Sequence, residues 1–134
     1  MNRRLRNKSG FTLLEIIIVI IIIAILASLA MPRFLRTSQY SYSAEALANL
    51  SALRQAMNRC YLFSSSYAPC DTFDDLDTGD PGLEPNAHFT YGIGGLAAGT
   101  FNITATGSVA VPTDIIWIDQ TGAKGGNGIF SGIR

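Results

Sequence analysis

From Phe11 to Met31 the chain runs for 21 residues with a single charge, Glu15. A helix of that length reaches about 32 Å, enough to cross the hydrocarbon core of a bilayer. A carboxylate at the centre of a membrane helix costs roughly 2.5–3.5 kcal/mol, and less near the interface. A chain that keeps Glu15 one turn inside the run therefore needs a partner for it. Ahead of the run lies a short leader, Met1–Gly10, with Arg3, Arg4, Arg6 and Lys8 and no acid. Basic residues flanking a span are held on the cytoplasmic side, so the bulk of the chain is expected on the other side.

Taken together, the basic leader, the junction Gly10-Phe11-Thr12-Leu13-Leu14-Glu15 and the apolar run resemble the N-terminus of type IV pilins and of the pseudopilins of type II secretion. The resemblance spans about residues 3–32, a quarter of the chain. It implies that a membrane-embedded prepilin peptidase cuts between Gly10 and Phe11 and then N-methylates Phe11. Pro32, 21 residues after Phe11, also stands where the family often carries a proline. The implied organisation is a removed leader (1–10), a transmembrane and filament-core helix (11–32), and an amphipathic helix with a globular domain (33–134). The implied function is a structural subunit held in a bacterial inner membrane by one span, N-terminus cytoplasmic. It would pass from membrane lipid through an inner-membrane assembly platform into a homo-polymer, either an extracellular pilus or a periplasmic pseudopilus. The alternatives are a type II secretion pseudopilin and a minor pilin that binds a surface, DNA or cargo. No cofactor is implied.

The residue types at the junction fit that chemistry. Gly10 offers a protease no obstructing side chain. Cleavage removes four positive charges that could not enter an apolar core, and it creates one cation, the α-amine of Phe11. Glu15 lies four residues on, one helical turn deeper. In a staggered stack, the amine of one copy meets Glu15 of its neighbour. The penalty for an unpaired carboxylate in low dielectric then fixes the axial register. The competing reading is self-pairing, since each chain's own amine is also at i,i+4 distance. Pro32 removes a backbone donor and clashes with the preceding turn, so a kink is expected there.

Beyond the leader, ten acids against six bases leave the mature chain near −4 before its termini are counted. Such a surface does not attract phosphates, and no nucleic-acid partner is expected. Cys60 and Cys70 belong to the exported part, where an oxidising compartment favours a disulfide; two separate buried thiols are the alternative. Leu47, Leu50, Leu53, Met57 and Tyr61 recur at spacings of three and four, so the helix is expected to continue past Pro32 as an amphipathic rod to about Leu62. Arg54, Gln55 and Asn58 fall off that stripe. Residues 64–87 read as an acidic loop. Alternation in Phe89-Tyr91-Ile93 and in Phe101-Ile103-Ala105, then Ile115–Ile118, predicts three antiparallel strands. The fold class is α+β: a long N-terminal helix covering a small antiparallel sheet. The pilin resemblance implies the same layout, although here the cysteines sit at the helix end and not at the C-terminus.

Smaller signals carry little. Asp75, Asp77 and Asp80 are calcium candidates, but the loop lacks the EF-hand pattern, and solvated turn charges are the simpler reading. His88 reads as a strand-end surface residue and Trp117 as core. Tyr40, Tyr42, Tyr61 and Phe34 could stack between copies, with packing the default. Asn49-Leu50-Ser51 and Asn102-Ile103-Thr104 match a glycosylation sequon inside regular structure. One histidine and no nucleophile context leave no catalytic triad, so no enzyme is read here. Two rivals to the pilin reading are a secretory signal cut after Ser28-Leu29-Ala30 and an uncleaved single-pass anchor.

Overall fold

The computed structural model describes residues 10–108 and 113–133; the leader's Arg3, Arg4, Arg6 and Lys8 lie outside the described residues. One helix, α1 (Leu13–Ser64), is followed by a 3-10 turn (Pro81–Leu83), strands β1 (Phe89–Gly94), β2 (Asn102–Gly107), β3 (Ile115–Asp119) and β4 (Lys124–Gly126), and a second 3-10 turn (Gly128–Phe130). Two compact units divide the chain between Leu35 and Arg36, and α1 contributes to both.

In the first unit, every described residue from 10 to 35 is exposed. The apolar stretch of α1 is long and apolar enough to cross a membrane, and none of it is buried. Pro32 lies inside α1, which is helical on both sides of it.

In the second unit the strands form an antiparallel meander in the order β1-β2-β3-β4. One face alternates inward. Phe89 and Tyr91 from β1, Ile103 and Ala105 from β2, and Ile116 and Ile118 from β3 pack with Ala46, Leu50, Leu53, Ala56 and Met57 of α1 in a single core. Leu50, Met57, Ile103 and Ile116 are fully covered, so truncating any one to Ala costs about 2–5 kcal/mol. Leu47 is only half-buried and Tyr61 is exposed, because the buried stripe passes through Ala46 and Ala56.

α1 ends two residues beyond Leu62. Ser65 adopts a left-handed φ of 56°, and its N–H donates to the Tyr61 carbonyl at 2.7 Å, which stops the rod. Cys60 and Cys70 form a disulfide. A loop this short gives about 2–3 kcal/mol in the chain-entropy account. It pins the loop that carries Tyr67, whose ring meets Tyr61 and, edge-on, Phe101.

Two expectations need correction. The sheet has four strands, not three, because the glycine-rich tail supplies β4. Trp117 is not core. It stands on the face opposite Ile116 and Ile118, half-buried, with its indole laid over Gly125 of β4. A Cβ at Gly125 would lie 2.5 Å from the ring, so only glycine lets the aromatic plate cover that edge strand.

Candidate functional site

At the start of α1, Thr12 is the N-cap and Glu15 the third helical residue. The Glu15 N–H donates to Thr12 Oγ1 at 3.2 Å, and the Thr12 N–H donates to Glu15 Oε2 at 3.4 Å. This is a reciprocal capping box. The Thr12 carbonyl accepts the first helical bond, from Ile16 at 3.3 Å. Glu15 therefore has a local structural role that the sequence reading missed, although Thr-x-x-Glu ahead of an apolar run is its standard signature. Phe11 is 81% exposed and Gly10 has open space where a side chain would be, so the Gly10–Phe11 bond is accessible.

Three polar rungs fasten α1 to the sheet. Glu45 accepts from the His88 N–H at 3.1 Å and meets His88 Nδ1 at 2.7 Å, while Tyr42 stacks on the imidazole with ring centroids 4.1 Å apart. One turn on, Asn49 Nδ2 donates to Tyr91 Oη at 2.9 Å. Burial raises the Tyr91 pKa above its usual range; the Asn49 bond opposes the shift, and Glu45 and Asp80 add to it. Further on, Arg54 Nη2 donates to the Gln120 carbonyl at 3.3 Å. Gly122, at φ +89°, leaves room for that guanidinium, since a Cβ would come within 3.1 Å of it. His88 is thus a half-buried latch rather than a surface residue, and Arg54, off the apolar stripe, lies against the β3–β4 turn.

The acidic loop is organised by its own turns. Asp75 accepts from the Thr72 hydroxyl and backbone, and those bonds hold its carboxyl below the usual range. Asp80 Oδ1 accepts from the Gly82 N–H at 2.8 Å, and Asp77 has a left-handed φ of 49°. Among the described residues no three His, Cys, Asp or Glu gather as a metal site would require.

These features frame the comparisons with known proteins. A family described as "Prokaryotic N-terminal methylation motif" matches residues 5–31. One described as "Type IV minor pilin ComP, DNA uptake sequence receptor" matches residues 32–114, more than half of the chain. Type II secretion system core protein G of Vibrio cholerae serotype O1 is 33% identical over 69 residues, which cover 52% of this chain and 47% of that protein. The chain thus spans about half the length of the curated relative it matches. No solved structure matches it. With a methylation motif on an exposed apolar helix, and that helix continuing onto a four-stranded antiparallel sheet, the chain belongs to the type IV pilin and pseudopilin family.

Proposed function

We propose that the chain is a structural filament subunit, not an enzyme: cut between Gly10 and Phe11, N-methylated at Phe11, anchored in the inner membrane by α1, and polymerised through the apolar faces of α1. The observation that carries this reading is the fully exposed stretch of α1, which needs lipid before assembly and other copies of itself afterwards. Glu15 is the register device. A carboxylate has about four lone-pair sites, and the capping box draws on Oε2, so the same group can cap its own helix and accept from a neighbour's Phe11 amine. Mass spectrometry of the subunit from sheared surface filaments tests the proposal: an N-terminus at methylated Phe11 supports it. A chain starting at Met31 or retaining Met1–Gly10 turns it into an exported or tethered domain.

The match to a minor-pilin family described as a DNA receptor favours a second reading, a DNA-binding subunit. Charge opposes it. In the described part of the second unit, Glu45, Asp71, Asp74, Asp75, Asp77, Asp80, Glu84, Asp114 and Asp119 outnumber the basic residues, and Arg54 is committed to the β3–β4 turn. A gel-shift titration of duplex DNA across salt concentrations decides between them. Binding with a steep salt slope supports the receptor, and no shift supports the plain subunit.

A further inference from the structure

The last turn of α1 presents two large apolar side chains to solvent, Leu62 at 79% and Phe63 at 92% exposure. Their backbone is held on both sides. The disulfide from Cys60 to Cys70 and the Tyr61–Tyr67 ring contact brace the turn, and the left-handed Ser65 stops the helix just beyond it. Leu62 and Phe63 are adjacent, so together they form a small contiguous apolar patch on a braced turn, a surface suited to a contact. At the other end of the same unit lies a groove of about 370 Å³ lined by Gln39, Tyr40, Gly128, Ile129 and Ser131. Its apolar walls are Tyr40, 48% exposed, and Ile129, which leans on the core. A water occupies about 30 Å³, so the groove has ample room for a benzyl ring.

We propose that Phe63 of one copy enters the Tyr40–Ile129 groove of the next copy in the filament. This deepens the filament reading and rests on it. Helix geometry supports a second copy as the occupant. Tyr40 and Phe63 are 23 residues apart on α1, which places them roughly 35 Å apart along the axis and about 140° apart around it. Two parallel copies offset along their axes meet back to front, so knob and groove must lie on nearly opposite sides of the rod, as these do. The contact is heterologous and cannot close on itself, the kind that generates open helical polymers. Its area also fits. A buried Phe covers roughly 150–250 Å², far short of the roughly 1,200 Å² of a stable pair. The head-to-tail contact therefore holds only when α1 packing already brings copies together.

The test is Phe63→p-benzoylphenylalanine in the full chain, irradiated in intact filaments, with cross-linked tryptic peptides sequenced. The expected product joins residue 63 to the segment 37–54 or 125–134 of a second copy, because a cross-linker of a few ångströms cannot bridge the distance within one chain. A second variant, Phe63→Ser, lowers filament yield by at least about tenfold, as expected from losing the burial of one aromatic per contact, while Cys60–Cys70 still forms. Cross-links elsewhere, or to other proteins alone, overturn the proposal while leaving the filament reading intact; so does a full yield of Phe63→Ser filaments. Sheared filaments that never contain the unsubstituted chain overturn the filament reading, and this inference with it.

Discussion

Glu15 holds one local job and is proposed for a second, and a neighbouring residue separates them. As the third helical residue it closes the capping box with Thr12; as the lone acid of the apolar run it is the proposed register device. Thr12→Val removes the cap's hydroxyl and costs about 0.5–2 kcal/mol of helix-end stability, yet leaves the carboxylate. Glu15→Gln keeps a side chain able to accept in the box and removes the charge. If pairing with a neighbour's amine governs assembly, Thr12→Val builds filaments near normal yield and Glu15→Gln does not; equal loss in both means that helix capping alone explains the acid. The comparison is read by quantifying sheared filaments at matched expression. A second residue-scale prediction concerns acid. Asp119 Oδ1 accepts from Thr121 Oγ1 at 2.6 Å and from the backbone of Thr121 and Ala123 at 2.9 and 3.0 Å, with the Thr121 hydroxyl the largest cause of its lowered pKa. A carboxyl depressed in the folded state adds stability that is complete above the unfolded value of 3.8 and disappears as pH falls through the folded value. Asp119→Asn should therefore flatten the acid limb of a denaturation-versus-pH curve below about pH 4 by lowering the neutral plateau slightly while leaving stability at the acid end little changed. An unchanged acid limb would mean that other carboxyls govern it.

At the scale of elements, the edge strand β4 depends on a close approach rather than on propensity. Lys124-Gly125-Gly126 has no alternation and no β-branched residue, so nothing local marks it as a strand. It pairs because Trp117 of β3 lies flat over Gly125, and because Gly126 passes so near Phe130 that a Cβ would meet its carbonyl oxygen at 2.6 Å. Gly125→Ala forces the indole off the sheet at a cost of about 1–3 kcal/mol. Trp117 is the sole tryptophan, so a red-shifted emission with an earlier unfolding midpoint is the expected readout; unshifted emission would place the ring elsewhere. The same strand shows what could be read beforehand. Strands β1 and β2 were legible because Phe89, Tyr91, Ile103 and Ala105 alternate inward with period two, and the helix because its apolar positions recur at three and four. The disulfide followed from compartment. β4 was not legible, and neither was the outward turn of Trp117, because both follow from pairing between strands. The Glu45–His88 latch joins residues 43 apart with no motif between them. At the N-terminus, the methylation motif was legible from spacing and resemblance, whereas the capping role of Glu15 was present in Thr12-x-x-Glu15 but hidden behind that more specific motif.

For the whole molecule, the decisive variable is charge carried into an apolar environment. The full chain is formally neutral, with ten basic and ten acidic residues, and the four bases of Met1–Gly10 all precede the proposed cut. Removing them would leave the remaining chain near −4 and expose one amine near the Glu15 carboxylate. Until the cut, an α1 packed among its copies would drag Arg3, Arg4, Arg6 and Lys8 toward hydrocarbon, at roughly 2.5–3.5 kcal/mol per unpaired charge on insertion scales. It would also lack the cation that answers Glu15. The penalties of the four leader charges add to that of the unanswered carboxylate, so uncut subunits should be excluded from the polymer while remaining folded in the membrane. Gly10→Val is the test, because it obstructs the scissile bond and touches nothing else: no described atom stands within 4 Å of a Cβ at that position. The expected result is a membrane fraction that accumulates the chain at its full length with the Cys60–Cys70 bridge formed, and sheared material that contains none of it. Filaments built from leader-bearing subunits would show that the charge change does not gate assembly, and the proposed role of the Phe11 amine would fall with it.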